Sequence, residues 1–112
     1  MISKKYKLPI QDFTKEKPLK VLRSSFFTLK VFESGLSYSR FGVIISGSTI
    51  KKAFQRNKTR RAIFDRLRLD YDKLPTSNYL FILKNTAKDV ELKSLLANLE
   101  EVLKQIKVVS KF

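Results

Sequence analysis

The sequence predicts an α+β domain in which a small sheet packs helices on one face, and three observations support this. Residues 26–32, 39–46 and 78–83 are short runs rich in aromatic and β-branched residues, the composition of strands. One helical period fills the gap between the second and third runs, and another follows the third. The resulting order of strand, strand, helix, strand, helix is that of a layered α+β fold.

Chain length and composition limit the possibilities further. The 112 residues are 43% hydrophobic and 12% aromatic, enough for one domain with one core. The absence of cysteine and histidine excludes a zinc site, a disulfide framework, a cysteine nucleophile and a histidine general base. No apolar run approaches the roughly 20 residues that span a bilayer. Residues 1–9 are basic but lack the apolar stretch of a signal peptide. The expected location is therefore cytoplasmic, with no membrane partner.

Residues 1–19 contain Pro9 and Pro18 and show no clean period, so they read as an extended basic arm with at most one helical turn near Asp12 and Phe13. Residues 20–23 form a short candidate strand. In residues 26–32 aromatic and β-branched side chains predict a second strand, followed by a turn around Gly35. Along residues 39–46, alternation places Phe41, Val43 and Ile45 on a core face. Gly42 and Ser46 fall on the opposite face, where they leave room for the floor of a groove. Ser48 and Thr49 are N-cap candidates for a helix running to about Tyr71. Residues 72–77, with Pro75, break that helix, and residues 78–83 are apolar after the opening Asn78, as in a strand covered on both faces. The last helix opens near Asp89 and lines up Leu92, Leu95, Leu96, Leu99, Leu103 and Ile106 on one stripe. Asp70 and Asp72 read as solvated turn residues rather than a catalytic pair.

The helix from residue 51 to residue 68 is the functional signal. It holds eight basic residues and one acidic residue, so half of the formal charge of +14 lies in one element. Residues 1–23 add a further +5, which leaves only +2 for the rest of the chain. Like charges three or four residues apart destabilise a helix, and a polyanion relieves them; the phosphate backbone of a nucleic acid is the commonest. Arg56, Arg60, Ile63 and Leu67 share a stripe that is basic in its first half and apolar in its second. A solvated basic face is the ordinary alternative. Against it, Asp65 is the only carboxylate within the helix, four residues after Arg61 and three before Arg68. The apolar stripe is also narrow for a helix lying on a membrane.

The run Arg40-Phe41-Gly42-Val43-Ile44-Ile45-Ser46, followed by Lys51-Lys52-Ala53 and Arg56-Asn57-Lys58-Thr59-Arg60-Arg61, resembles the protein subunit of bacterial ribonuclease P. That family shows an RxGxxxS strand, a lysine-containing loop and an RNR-x-KR helix. The resemblance covers roughly residues 25–105. It implies a small αβββαβα-type sandwich of the ribosomal protein S5 domain 2-like kind, with a left-handed β-α-β crossover. The family's first helix is represented here only by Asp12 and Phe13, so the N-terminal helix is expected to be short or absent. Two further departures stand out. Lys58 replaces the second arginine of the RNR motif, which keeps the charge but loses the planar fork. Gly47 and Ser48 stand where the family usually has two lysines.

The resemblance also implies a function: a single RNA-binding domain, residues 1–112, that assists a catalytic RNA in removing the 5′ leader of precursor tRNA. As a holoenzyme this is an endoribonuclease whose catalytic centre lies in the RNA subunit, so no catalytic or metal-binding residue is expected in this chain. The expected cofactor, Mg²⁺, is held mainly by the RNA subunit and the substrate, as two-metal chemistry permits. The expected partners are ribonuclease P RNA and precursor tRNA, not DNA, with the protein a monomer within the ribonucleoprotein. The RNA-binding residues carried over are Lys51, Lys52, Arg56, Asn57, Lys58, Arg60 and Arg61, with Arg68 added from the helix pattern. Phe13 and Phe27 are the aromatic candidates for a groove holding the single-stranded leader, since aromatic faces stack on unpaired bases. An ordinary core position is the equal alternative for either ring. The rival functions are a ribosomal or other structural RNA-binding protein and a DNA-binding regulator; the second lacks a helix-turn-helix pair.

Overall fold

The computed structural model describes residues 6–12, 16–71 and 73–108. In chain order the elements are strands β1 (Lys20–Arg23), β2 (Phe27–Phe32) and β3 (Arg40–Ile44), helix α1 (Ala53–Arg68), strand β4 (Asn78–Leu83) and helix α2 (Leu92–Val108). Single 3-10 turns occupy Ile10–Asp12 and Asn85–Ala87. The strands form one sheet in the order β1-β2-β4-β3. The β1–β2 and β2–β4 pairs are antiparallel, and the β3–β4 pair is parallel. A parallel pair needs a long crossover, and α1 supplies it. Among the described residues, no helix is long and apolar enough to cross a membrane.

Strand alternation explains the core. Leu22 pairs with Leu29, Leu29 with Phe81, and Val43 with Phe81, so one row of apolar side chains crosses the sheet. This face also presents Phe27, Val31, Phe41, Ile45, Tyr79 and Leu83, as the alternation in residues 39–46 predicts for its members. Both helices cover it. α1 contributes Ile63, Phe64 and Leu67, and α2 contributes Leu95, Leu99, Val102, Leu103 and Ile106. Leu92 and Leu96, placed on the core stripe by sequence, are only half-buried, while Val102 joins the core.

Several boundaries differ from the sequence reading. Helix α2 starts at Leu92 rather than near Asp89, because Asp89 adopts a φ of 63°, outside the right-handed helical region. Helix α1 ends at Arg68 because Leu69 N–H already donates to the Arg66 carbonyl at 3.2 Å, a tightened last turn. Its N-cap is Lys52, with no side-chain cap, and not Ser48 or Thr49. Thr49 instead donates its hydroxyl to Asn85 Oδ1 at 2.6 Å. Asp70 is not a solvated turn residue. It is 5% exposed and bonded to Arg66 at 2.8 Å and Lys107 at 3.0 Å, tying the end of α1 to α2. Arg66 also pairs with Glu100 of α2. Asp72 lies outside the described residues.

The opposite face of the sheet is where sequence placed an open groove floor, and the N-terminal arm fills part of it. Lys7 forms a parallel bridge with Phe41, and Leu8 N–H donates to the Phe41 carbonyl at 2.8 Å. Leu8 and Ile10 then pack over Gly42 with Phe32 and Leu80. A Cβ at Gly42 would meet Ile10 Cγ1 at 3.1 Å, Leu80 Cδ1 at 3.2 Å and Leu8 Cβ at 3.3 Å. Glycine is therefore needed there for close approach rather than for an open floor.

Two outcomes follow. The variant G42V is expected to destabilise the fold by about 1–3 kcal/mol, the range for overpacking. Its first sign would be faster hydrogen exchange at the Leu8 amide. For Asp70, burial raises the carboxyl pKa, but hydrogen bonds and charge from Lys107 and Arg66 outweigh it and hold the pKa below the ordinary value of 3.8. The stabilisation is thus complete above that value and is lost as pH falls through the lower folded one. In urea unfolding, D70N is expected to lose about 1–3 kcal/mol at neutral pH. The gap from the unsubstituted chain should narrow as acid protonates Asp70.

Candidate nucleic-acid interface

Helix α1 starts with an electrostatic excess. Its first turn contains no acidic residue, and the N-cap Lys52 adds a cation to backbone N–H groups that already carry partial positive charge. Residues 51–64 contain six cations and no carboxylate. The buried side chains of the helix are Thr59, Ile63, Phe64 and Leu67. Thr59, Ile63 and Leu67 recur every four residues, so Thr59 rather than Arg56 or Arg60 continues the apolar stripe. The two arginines flank it, half-buried, while Lys51, Lys52, Asn57, Lys58, Arg61 and Arg68 are exposed.

Arg56 has a structural role. Its Nη1 donates to the carbonyls of Ile50 and Lys51, both at 2.8 Å, and so fixes the loop that delivers Lys51 and Lys52. The other end of that loop is a hydroxyl turn. Ser46 Oγ lies 2.8 Å from Ser48 Oγ and 3.1 Å from Thr49 Oγ1, and Thr49 anchors the turn on Asn85. The Gly47-Ser48 segment therefore positions the lysines that follow it. Arg60 Nη1 donates to Asn57 Oδ1 at 2.8 Å, which preorganises two of the residues carried over from the family motif.

Two clefts flank the helix end. One, of about 470 Å³, is lined by Lys7, Asn57, Arg60, Arg61 and Phe64. Lys7 Nζ sits 5.8 Å from the Phe64 ring centroid. Neighbouring Tyr6 packs on Tyr71 and Tyr38, with ring centroids 4.8 and 5.5 Å away. The sequence showed the arm to be basic but gave no sign that Lys7 would land beside α1, because that depends on a bridge to β3. The other cleft, of about 560 Å³, lies between Lys51, Lys52 and Lys58 and the start of α2. Lys51 to Arg61 thus form one cationic end. Arg68 stands apart, about 15 Å along the axis from Lys58 at 1.5 Å per residue.

The aromatic groove candidates fare differently from the basic ones. Phe27 is fully buried on the helix-covered face of the sheet, in edge-to-face contact with Phe81 at 6.4 Å. Alternation along β2 turns its ring into the core, so Phe27 cannot wall a groove for an unpaired base. Phe13 lies outside the described residues. Among the described residues, the part of the opposite face left uncovered is instead set by β-strand alternation at Val21, Thr28, Lys30, Ile44 and Ile82, all half-buried. Among the described residues no group of three or more carboxylates converges as a metal site, and Asp70 is committed to cations.

The family model described as ribonuclease P matches residues 11–107. A ribonuclease P protein component from Buchnera aphidicola subsp. Baizongia pistaciae is 33% identical over 67 residues, 60% of this chain and 59% of that protein. One from Staphylococcus carnosus is 28% identical over 91 residues, 81% of this chain and 78% of that protein. Among solved structures, a Staphylococcus aureus RNase P protein mutant with defective mRNA degradation activity superposes with a TM-score of 0.78 at 23% identity, covering 93% of this chain and 90% of that one. The Thermotoga maritima RNase P protein gives a TM-score of 0.65 at 22% identity, covering 79% and 81%. These two structures share the fold, a four-stranded sheet with two helices. With its family pattern matched from the arm to the end of α2, the chain belongs to the ribonuclease P protein family.

Proposed function

We propose that this chain is the protein subunit of a ribonuclease P holoenzyme, assisting an RNA subunit in removing the 5′ leader from precursor tRNA. The observation that carries the reading is the end of α1, where six cations and no carboxylate stand on a helix anchored in the core of a chain of this family. Lys51, Lys52, Lys58 and Arg61 neutralise RNA phosphates. Asn57 and Arg60, held together by their hydrogen bond, offer a donor array toward a sugar or base edge. Arg56 acts on RNA through the loop it fixes. The half-buried sheet face around Lys30 and Ile82 is the surface left for a single-stranded leader. Bond breaking belongs to the RNA subunit, with Mg²⁺ held by RNA and substrate, and this chain contributes binding and orientation.

Reconstitution tests the reading. Purified chain mixed with a bacterial ribonuclease P RNA is expected to stimulate precursor tRNA cleavage at low Mg²⁺. Failure to stimulate, or RNA binding that leaves cleavage unchanged, would favour a structural RNA-binding role instead. The double substitution Lys58→Ala with Arg61→Ala is expected to reduce that stimulation about tenfold or more and to raise the Mg²⁺ needed, without changing the melting temperature, because both side chains are exposed. Arg56→Ala should lower thermal stability as well as activity.

A further inference from the structure

The outer crest of α1 holds an apolar group that phosphate binding does not explain. Phe54 is 64% exposed, the one aromatic among the large apolar side chains exposed in the described residues; the others are Leu19, Leu36 and Leu69. Lys58 and Arg61 follow it by four and seven residues, on the same outward face, and Lys51 precedes it by three. Lys52 Nζ lies 5.9 Å from the ring centroid. The ring makes no contribution to the core, whose α1 members are Ile63, Phe64 and Leu67. An exposed phenylalanine in a water-facing helix costs solubility, and in this position Lys52 lies beside the ring with Lys58 and Arg61 on the same helix face.

We propose that Phe54 is a stacking platform for an unpaired nucleobase of the RNA that α1 binds. A nucleotide presents a flat face and a phosphate close together, and this turn presents a flat ring with cations beside it. Base–aromatic stacking is sequence-tolerant, since every base has a π-face, so the site selects an unpaired nucleotide rather than a particular base. Charge complementarity argues for this occupant over a second copy of the chain, because two such helix ends would repel. The inference rests on the reading of α1 as an RNA-binding helix.

The test uses the full chain and a bacterial ribonuclease P RNA at fixed salt. F54A is expected to bind about fivefold or more weakly, within the range for losing one stacked base, with an unchanged salt slope because no charge is removed. F54L should reproduce the loss and F54Y should restore affinity. The chain contains no tryptophan, so F54W provides a single reporter whose fluorescence should be quenched as RNA is added. If the unsubstituted chain does not bind the RNA, the reading of α1 itself fails. If it binds but F54A or F54L binds equally well, the stacking platform is overturned while the phosphate grip stands. A substitution that changes only self-association would also overturn it.

Discussion

The organisation of this molecule depends on anchoring one end of α1 firmly enough to hold an electrostatically unfavourable other end. Lys52 and Arg56, Arg56 and Arg60, and Lys58 and Arg61 are like-charge pairs three or four residues apart, each costing about 0.2–0.5 kcal/mol. The helix N-terminus adds its own positive charge. Opposing this, Ile63, Phe64 and Leu67 are buried against the sheet, each contributing about 1.5–3 kcal/mol. Burial wins by several-fold, so the cations stay in place without an RNA to hold them. The Asp70 carboxylate strengthens the anchor by joining α1 to Lys107 of α2.

Within the cationic end, similar residues do different work. Arg56 faces inward to two loop carbonyls, whereas Arg61 stands exposed five residues later. The loop itself is uncharged, yet its hydroxyl turn and the Thr49–Asn85 bond determine where Lys51 and Lys52 project. A chain lacking the usual loop lysines thus keeps an ordered approach to the ones it has. The N-terminal arm completes the surface from the other side by bringing Lys7 to Arg60 and Arg61.

Much of this was legible in the sequence because alternation and helical period report burial directly. Phe41, Val43 and Ile45 alternate onto the core face, and helical spacing separates the basic first half of α1 from its apolar second half. What the sequence could not show depends on contacts between distant segments. Gly42 reads as a groove floor until Leu8 and Ile10 are seen packed on it. Asp70 reads as a solvated turn residue until α2 brings Lys107 alongside. Phe27 is ambiguous in sequence because an aromatic strand residue serves a core or a groove equally well; its register opposite Leu83 and its ring contact with Phe81, on the face the helices cover, decide. The joined strand, loop and helix pattern identified the family, whereas charge alone indicated only a polyanion.

The central claim is that the exposed cations of α1 grip RNA phosphates, and its most direct test is the salt dependence of affinity for a bacterial ribonuclease P RNA. Replacing Lys58 and Arg61 with alanine should flatten the slope of log affinity against log salt by about 2, roughly one unit per lost phosphate contact. A slope unchanged by the double substitution would contradict the account.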